Sequence, residues 1–462
     1  MDIMNKIRIE KKPTYRKFAV DVDFFELFRK IERNYDVCFI FESLGEEGKF
    51  SRYSIIGFDP EHEISARDNK LNVDGKIHAV ANPYYALRDL MPPQTITREY
   101  AGGLIGYVGY DAVNYFEPSL NVKTHRSFDQ FAFGVYTDGL ILDKLTNEIS
   151  YFYYETDRSD SVQSRLNSKV DEQKFTAKFI KDGITEKGHA TIVEKVKEQI
   201  RAGNTFQCEV GFKTEYEISG DTLKIYARLR EINPSPFMYY LKFRNPSFAK
   251  GSGGQGKKII GASPELLFSL REGEMTTRPL AGTIRRGADE KKDQMLARTL
   301  INDPKERAEH NMLVDLHRND LGRVAKFGSV KIKDLMTIKK FSHVQHISSE
   351  IVATIKEGED AFSGLASQFP MGTVCGTPKI ETIKIINENE PEGRGPYGGG
   401  VGHFGFNGDC TFSLALRSVF IDGSYAYTQT SGGIVYDSVP EKEYDEVKRK
   451  SAAMREALGI SI

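Results

Sequence analysis

Apolar residues recur at helical steps in two stretches of the chain. In residues 23–35 they fall at Phe24, Phe25, Leu27, Phe28 and Ile31, the stripe of an amphipathic helix. In residues 189–202 they fall at Ile192, Val196 and Ile200. A third, long helix is expected to begin near Pro440 and run through Ala457. Runs rich in β-branched and aromatic residues predict strands at 37–41, 131–143, 148–154, 238–243, 259–262, 413–420 and 425–430. Strands with helices between and after them point to the α+β class with antiparallel sheets. The charged, serine-rich stretch 155–174 reads as a surface connection or a solvated helix. It separates an N-terminal region, 1–174, from a region, 175–462, that carries the denser motifs. No internal repeat or long low-complexity segment is present.

Two carboxylate pairs stand out. Asp303 suits a helix N-cap, with Pro304 in the first turn, and Glu306 and Glu309 then share one helical face. Glu443 and Glu446 repeat that spacing after Ser438, a candidate cap. Two such faces opposed would gather four carboxylates, a donor set for a hard divalent cation, Mg²⁺ foremost. Either pair alone fits a solvated helix face, with Lys305 and Glu309 as an i,i+4 pair.

Three tracts, 279–287, 394–402 and 431–435, are too glycine-rich for element interiors. Such backbone can approach an anion closely, and beside Arg417 it would suit a dicarboxylate. On spacing alone the tracts fit turns and bulges equally well. None matches a Walker loop or a dinucleotide fingerprint.

Composition narrows the class. Lysine and arginine number 64 against 65 acidic residues, a net charge of -1, which argues against nucleic acid as the main partner. Four dispersed cysteines, Cys38, Cys208, Cys375 and Cys410, have neither metal-ligand nor disulfide spacing, so a reducing, cytoplasmic setting is expected. The basic first residues lack the apolar core of a signal peptide, and no apolar run approaches the ~20 residues of a membrane span, so no membrane partner is expected.

Ser263-Pro-Glu265, Pro279-Leu-Ala-Gly-Thr283, the run 305–320, Gly372-Thr-Val-Cys-Gly-Thr-Pro-Lys379, Arg394-Gly-Pro-Tyr-Gly-Gly399 and Gly433-Ile-Val-Tyr-Asp-Ser438 resemble the chorismate-utilising enzymes in order and spacing, over about 206–450. Phe41-Glu-Ser43, Arg52-Tyr-Ser-Ile-Ile-Gly57 and Asn233-Pro-Ser-Pro-Phe-Met238 extend the resemblance to the large subunit of anthranilate synthase. That resemblance implies a large two-sheet β-sandwich with helices outside, the two regions interleaved, and an active site in the cleft between the sheets. It implies that Glu309 and Glu446 ligate Mg²⁺ directly and that Glu306 and Glu443 act through metal-bound water. Glu265 is then the general acid for departure of the C4 hydroxyl of chorismate. His346, in His343-Val-Gln-His346, is the residue tied to the elimination that expels pyruvate. Arg417 and Tyr397 would bind the enolpyruvyl carboxylate, and Gly282, Thr283, Thr373, Ser431, Gly432, Gly433 and Lys450 would complete the pocket. The family has glycine where Ser431 stands and alanine where Thr377 stands.

Two positions separate family members by chemistry. Relatives that add water carry a lysine base at Gln207, and glutamine cannot deprotonate water. Relatives that make aminodeoxychorismate carry a nucleophilic lysine at Ala281. Ammonia would therefore attack C2 directly, as in anthranilate synthase. No cysteine lies in the Gly-x-Cys-x-Gly context of a glutamine amidotransferase, so ammonia would come from a separate glutaminase subunit or from free ammonium. Glu42, Ser43, Asn233, Pro234, Pro236, Phe237 and Met238 resemble the allosteric L-tryptophan site, with Phe41 and Phe237 in place of the usual Leu and Tyr; feedback inhibition is implied. The chain contains no tryptophan among its 22 Tyr and 29 Phe, which suits an enzyme needed when tryptophan is scarce. The alternatives are an aminodeoxychorismate or aminodeoxyisochorismate synthase, and a regulator that binds tryptophan or chorismate without catalysis. Retention of all four glutamates, Glu265, His346 and Arg417 speaks against the last.

Overall fold

The computed structural model describes residues 7–9, 11–20, 22–44, 52–95, 97–166, 173–244, 256–341 and 344–460. His343 and part of the 155–174 stretch lie outside them; within that stretch Ser159–Leu166 is helical. Asp23 caps the helix Phe24–Asn34 by accepting from the backbone N–H groups of Phe25 and Glu26. Its stripe is buried completely at Leu27, Phe28 and Ile31, each worth about 2 kcal/mol of apolar burial. The helix expected from His189 begins earlier, as Glu186–Arg201, because Thr185 caps it through the Gly188 N–H. Helix Pro440–Ala457 matches its expected span, but Ser438 is not its cap. Val439 occupies that position, and the Ser438 hydroxyl instead accepts from the Val435 N–H in the preceding turn.

Two antiparallel sheets carry the architecture. The first runs Thr14–Lys17, Glu148–Tyr153, Asp138–Asp143, Tyr53–Phe58, Cys38–Glu42, Phe237–Phe243, Lys257–Ser263, Ser418–Asp422, Tyr425–Ile434, Gln207–Gly220 and Phe175–Asp182. The second runs Leu280–Arg285, Val344–Thr354, Glu274–Arg278, Leu266–Arg271, Cys410–Leu414, Gly400–Gly405, Gly103–Val108, Phe131–Tyr136, His62–Arg67, Lys70–Val73 and Lys76–Ala79. Each sheet draws strands from both sides of residue 174. An aromatic layer including Phe39, Tyr107, Tyr239, Phe420 and Tyr427 fills the space between them. Helices Phe24–Asn34, Leu223–Ile232 and Pro440–Ala457 pack outside the first sheet, as does Lys379–Asn389 against Gln207–Gly220, and Pro83–Asp89 and Ala361–Gln368 contribute to the core around the second. The class is α+β with helices outside a two-sheet sandwich, as expected. Among the described residues no helix is long and apolar enough to cross a membrane.

The chain crosses between sheets at tight corners. The stretch 131–143, expected as one strand, is two: Phe131–Tyr136 in the second sheet and Asp138–Asp143 in the first. Its apolar run hides the break because both strands are largely buried. The mark is Asp138, held by the Arg158 guanidinium at 2.7 Å. The stretch 413–420 divides in the same way into Cys410–Leu414 and Ser418–Asp422. A third corner, Pro264-Glu265, joins Lys257–Ser263 to Leu266–Arg271.

Candidate active site

Two of these corners are tied to each other. The Leu414 N–H donates to the Glu265 carbonyl at 3.0 Å, and the Ala262 N–H donates to the Arg417 carbonyl at 3.1 Å. The Ser263 hydroxyl also donates to the Leu414 carbonyl, at 2.6 Å. Glu265 and Arg417 are thereby fixed at neighbouring crossings of the two sheets. The Glu265 side chain is buried and accepts one backbone hydrogen bond, from Leu280 N–H at 3.2 Å. Burial pushes its carboxyl up to about 8, against that hydrogen bond and the nearby Arg417 charge, so it carries a proton at neutral pH. Arg417 holds φ at +48°, a left-handed conformation costing a non-glycine residue roughly 1–3 kcal/mol. Its guanidinium makes no ion pair among the described residues.

His346 lies on Val344–Thr354, opposite Thr283 of Leu280–Arg285. Its Nδ1 is 2.9 Å from the Gly282 carbonyl and 3.1 Å from Thr283 Oγ1. A carbonyl only accepts, so Nδ1 bears the proton and Nε2 keeps the lone pair. Nε2 is buried and unpartnered. Burial, assisted by the Arg417 charge, lowers the imidazole to about 4, so it is neutral at physiological pH. Gly282 has φ +62°, at a bulge in this strand pair, and a side chain there would strike Glu306 Oε2 at 2.8 Å. One glycine thus orients the histidine and gives room to the first glutamate pair.

Asp303 caps helix Pro304–Gly322, as expected, by accepting from Lys305 N–H and Glu306 N–H. Glu306 and Glu309 project from its first turns, and Glu443 and Glu446 from those of Pro440–Ala457. The helices face one another, since the Lys305 charge reaches Glu443 and Glu446. Burial and neighbouring acids raise Glu306 and Glu443, and carry Glu309 up to about 7. Glu446 is lowered instead: burial opposes the shift, but Lys450, at 2.7 Å, prevails. Among the described residues, no three His, Cys, Asp or Glu side chains close on one point as a finished metal cage. The donors nevertheless suit a hard cation, being four carboxylates that repel one another.

Tyr397, Ser431 and Lys450 form one connected wall, which Lys450 ties to Glu446. Tyr397 Oη is 2.8 Å from Ser431 Oγ, and Lys450 Nζ donates to the Ser431 carbonyl at 3.2 Å. Gly432 and Gly433 follow on the same strand, paired with Val210 and Glu209. Buried Arg394 braces this wall: it pairs with Glu390 at 2.6 Å and donates to the Val374 and Glu209 carbonyls. Gln207 Oε1 is buried without a partner, like His346 Nε2. Unsatisfied polar atoms on several walls of one cleft are the signature of a ligand site. Glu209 belongs to this wall and was not anticipated. A lone glutamate amid the buried run Cys208–Phe212 was the available signal.

Glu42, Ser43, Pro236, Phe237 and Met238 lie elsewhere, lining a cavity of about 170 Å³ between the sheets that contains none of the acid–base residues. Asn233 and Pro234 are outside that lining; Asn233 terminates helix Leu223–Ile232.

A proton-bearing carboxyl, a neutral imidazole with a free lone pair, an unpaired arginine and facing carboxylates define an acid–base enzyme for an anionic substrate. The profile of the chorismate binding enzymes matches residues 36–456, and the chain belongs to that family. It is 49% identical to anthranilate synthase component 1 of Leptospira biflexa, over 98% of each chain. It is 34% identical to aminodeoxychorismate synthase component 1 of Bacillus subtilis, over 98% of each. The solved anthranilate synthase component I of Streptococcus pneumoniae superposes with a TM-score of 0.77 at 29% identity, covering 89% of this chain and 94% of that one. These likenesses agree with the resemblance drawn from the motifs.

Proposed function

We propose that the protein converts chorismate and ammonia to anthranilate and pyruvate. The carrying observation is the buried, protonated Glu265 stitched beside Arg417, across from a neutral His346. Hydroxide is a poor leaving group, and Glu265 has the proton that turns the departing C4 hydroxyl into water. Arg417 has a free fork for the enolpyruvyl carboxylate. His346 Nε2 then accepts the C2 proton as the C3–O bond breaks, leaving an aromatic ring, and the enolpyruvate released takes up a proton at its methylene carbon to become pyruvate. Glu306, Glu309, Glu443 and Glu446 would hold Mg²⁺, which when bound supplies neutralising charge and an anchor for the ring carboxylate. Ala281 offers no amine nucleophile, so ammonia attacks C2 directly, delivered by a separate glutaminase subunit or taken as free ammonium.

The test is to incubate purified protein with chorismate, Mg²⁺ and ammonium, follow anthranilate fluorescence, and resolve products by chromatography with an EDTA control. Mg²⁺-dependent anthranilate supports the reading; no turnover, even with a glutaminase supplied, overturns it. The Bacillus subtilis likeness favours a second reading, a synthase that stops at an aminated, pyruvyl-bearing product, and the chromatogram separates the two. His346→Gln is expected to lower anthranilate formation by about a hundredfold or more and to accumulate that aminated intermediate. Equal loss of both products would remove His346 from the elimination step.

The second cavity supports feedback by L-tryptophan. At a hundred times its Kd, tryptophan should stabilise the protein by about 2.7 kcal/mol in thermal melts. Ser43→Phe, which fills the cavity, should abolish both the melting shift and the inhibition while the uninhibited rate persists. Inhibition that survives this substitution would place the effector elsewhere.

A further inference from the structure

Asp293, in the first turn of helix Glu290–Asn302, is a buried acid that the chemistry above does not use. Its carboxylate is saturated. Oδ1 accepts from Arg286 Nε at 2.8 Å, from Gly287 N–H at 2.8 Å and from Gln345 Nε2 at 3.0 Å. Oδ2 accepts from Arg286 Nη2 at 3.1 Å and lies 3.0 Å from Lys340 Nζ. A side chain on Gly287 would strike the Asp293 backbone nitrogen at 2.2 Å, so loop and helix close on each other without slack. The donors come from the ends of two paired strands. Arg286 and Gly287 follow Leu280–Arg285, and Gln345 opens Val344–Thr354. That ladder carries His346 and the Gly282 carbonyl that holds its Nδ1. Gln345 precedes His346, and neighbours on a strand point to opposite faces, so a pin on Gln345 fixes the strand behind the imidazole. Arg286 supplies a second link. Its Nη1 donates to the Phe341 carbonyl at 2.6 Å, and the Phe341 ring stands edge-on to His346 with centroids 5.4 Å apart.

Resting on the reading above, we propose that Asp293 is a positioning residue for the elimination step: it sets where His346 Nε2 points. The imidazole is held at Nδ1 alone, so the direction of its free lone pair depends on the ladder behind it and on the ring packed against it. Asp293 locks both. An ionised carboxylate accepts from all of these donors at once. An amide in its place turns one oxygen into a donor, which must face either Arg286 and Lys340 or the three groups on the other side. The ladder then loosens at the His346 end, and a misplacement of about 1 Å costs on the order of a hundredfold in rate. Amination is spared. Glu265 and Arg417 are tied through Leu414 and Ala262, and the Leu280 N–H that reaches Glu265 is at the far end of its strand from Arg286.

The test measures chorismate consumed, anthranilate formed and aminated, pyruvyl-bearing intermediate released, at saturating chorismate, ammonium and Mg²⁺. Asp293→Asn should lower anthranilate formation by about tenfold to a hundredfold and release the intermediate, while chorismate consumption and the KM for chorismate stay close to wild type. Phe341→Leu keeps the carboxylate contacts but removes the ring from His346, and should shift the product ratio the same way by less. Because Asp293 acts through His346, adding Asp293→Asn to His346→Gln should cost little beyond His346→Gln alone. Anthranilate and chorismate consumption falling in step, or losses that multiply in the double variant, overturn the proposal and leave Asp293 an anchor of the fold. If Asp293→Asn does not fold, Phe341→Leu decides, and a wild-type product ratio there overturns the proposal. Wild-type protein that forms no anthranilate overturns the functional reading, and this proposal with it.

Discussion

Glu265→Gln should lower kcat by about a hundred- to ten-thousand-fold, the usual worth of a positioned general acid. The amide keeps the shape and the hydrogen bond from Leu280 but cannot give up a proton. Wild-type kcat, measured at constant free ammonia, should fall as pH rises through about 8, where the buried carboxyl ionises. The residual rate of the variant should lack that limb; an unchanged limb would assign it to another group. Stability should also fall as pH rises. The folded carboxyl titrates above its ordinary 4.5, so the protein is favoured below that pH and loses stability as pH rises towards about 8. Glu265→Gln never ionises, so it should melt a few degrees above wild type at pH 8, with the gap closing towards pH 4.5. The enzyme is thus expected to give up stability to keep this acid buried.

Arg417→Lys should reduce kcat/KM for chorismate by about a hundredfold or more. Lysine keeps the charge but not the planar fork, and losing a desolvated charged partner costs roughly 2–5 kcal/mol. The melting temperature should change little, because Arg417 makes no ion pair among the described residues. Arg417→Gly sharpens the point: it relieves the φ of +48° and should melt at or above wild type while binding chorismate still less well. A variant that binds chorismate normally would remove Arg417 from carboxylate recognition.

Much of this was readable in advance, for identifiable reasons. Asp303-Pro304 announces a helix start because capping is local chemistry, and the spacing of Glu306 and Glu309 follows from the helical repeat. The corners at Thr137 and Arg417 were not readable. A strand buried on both faces has no alternation to interrupt, so crossing from one sheet to the other is marked by no more than a charged residue within the run, Asp138 or Arg417. Ser438 misled because a serine before a helix also suits closing the turn that precedes it. Glu209 escaped because a single acid in an apolar strand acquires meaning only when Gly433 and Gln207 are laid against it.

The interleaved strand order also bears on how the chain is made. Strand Cys38–Glu42 pairs with Phe237–Phe243, nearly two hundred residues later. At roughly 5–20 residues per second, a ribosome takes about 10–40 seconds to synthesise that partner. Throughout that interval the early strand Cys-Phe-Ile-Phe-Glu has an open, apolar edge towards Phe237–Phe243. Until Phe237–Phe243 emerges, that edge is open to like strands of neighbouring chains on the same polysome.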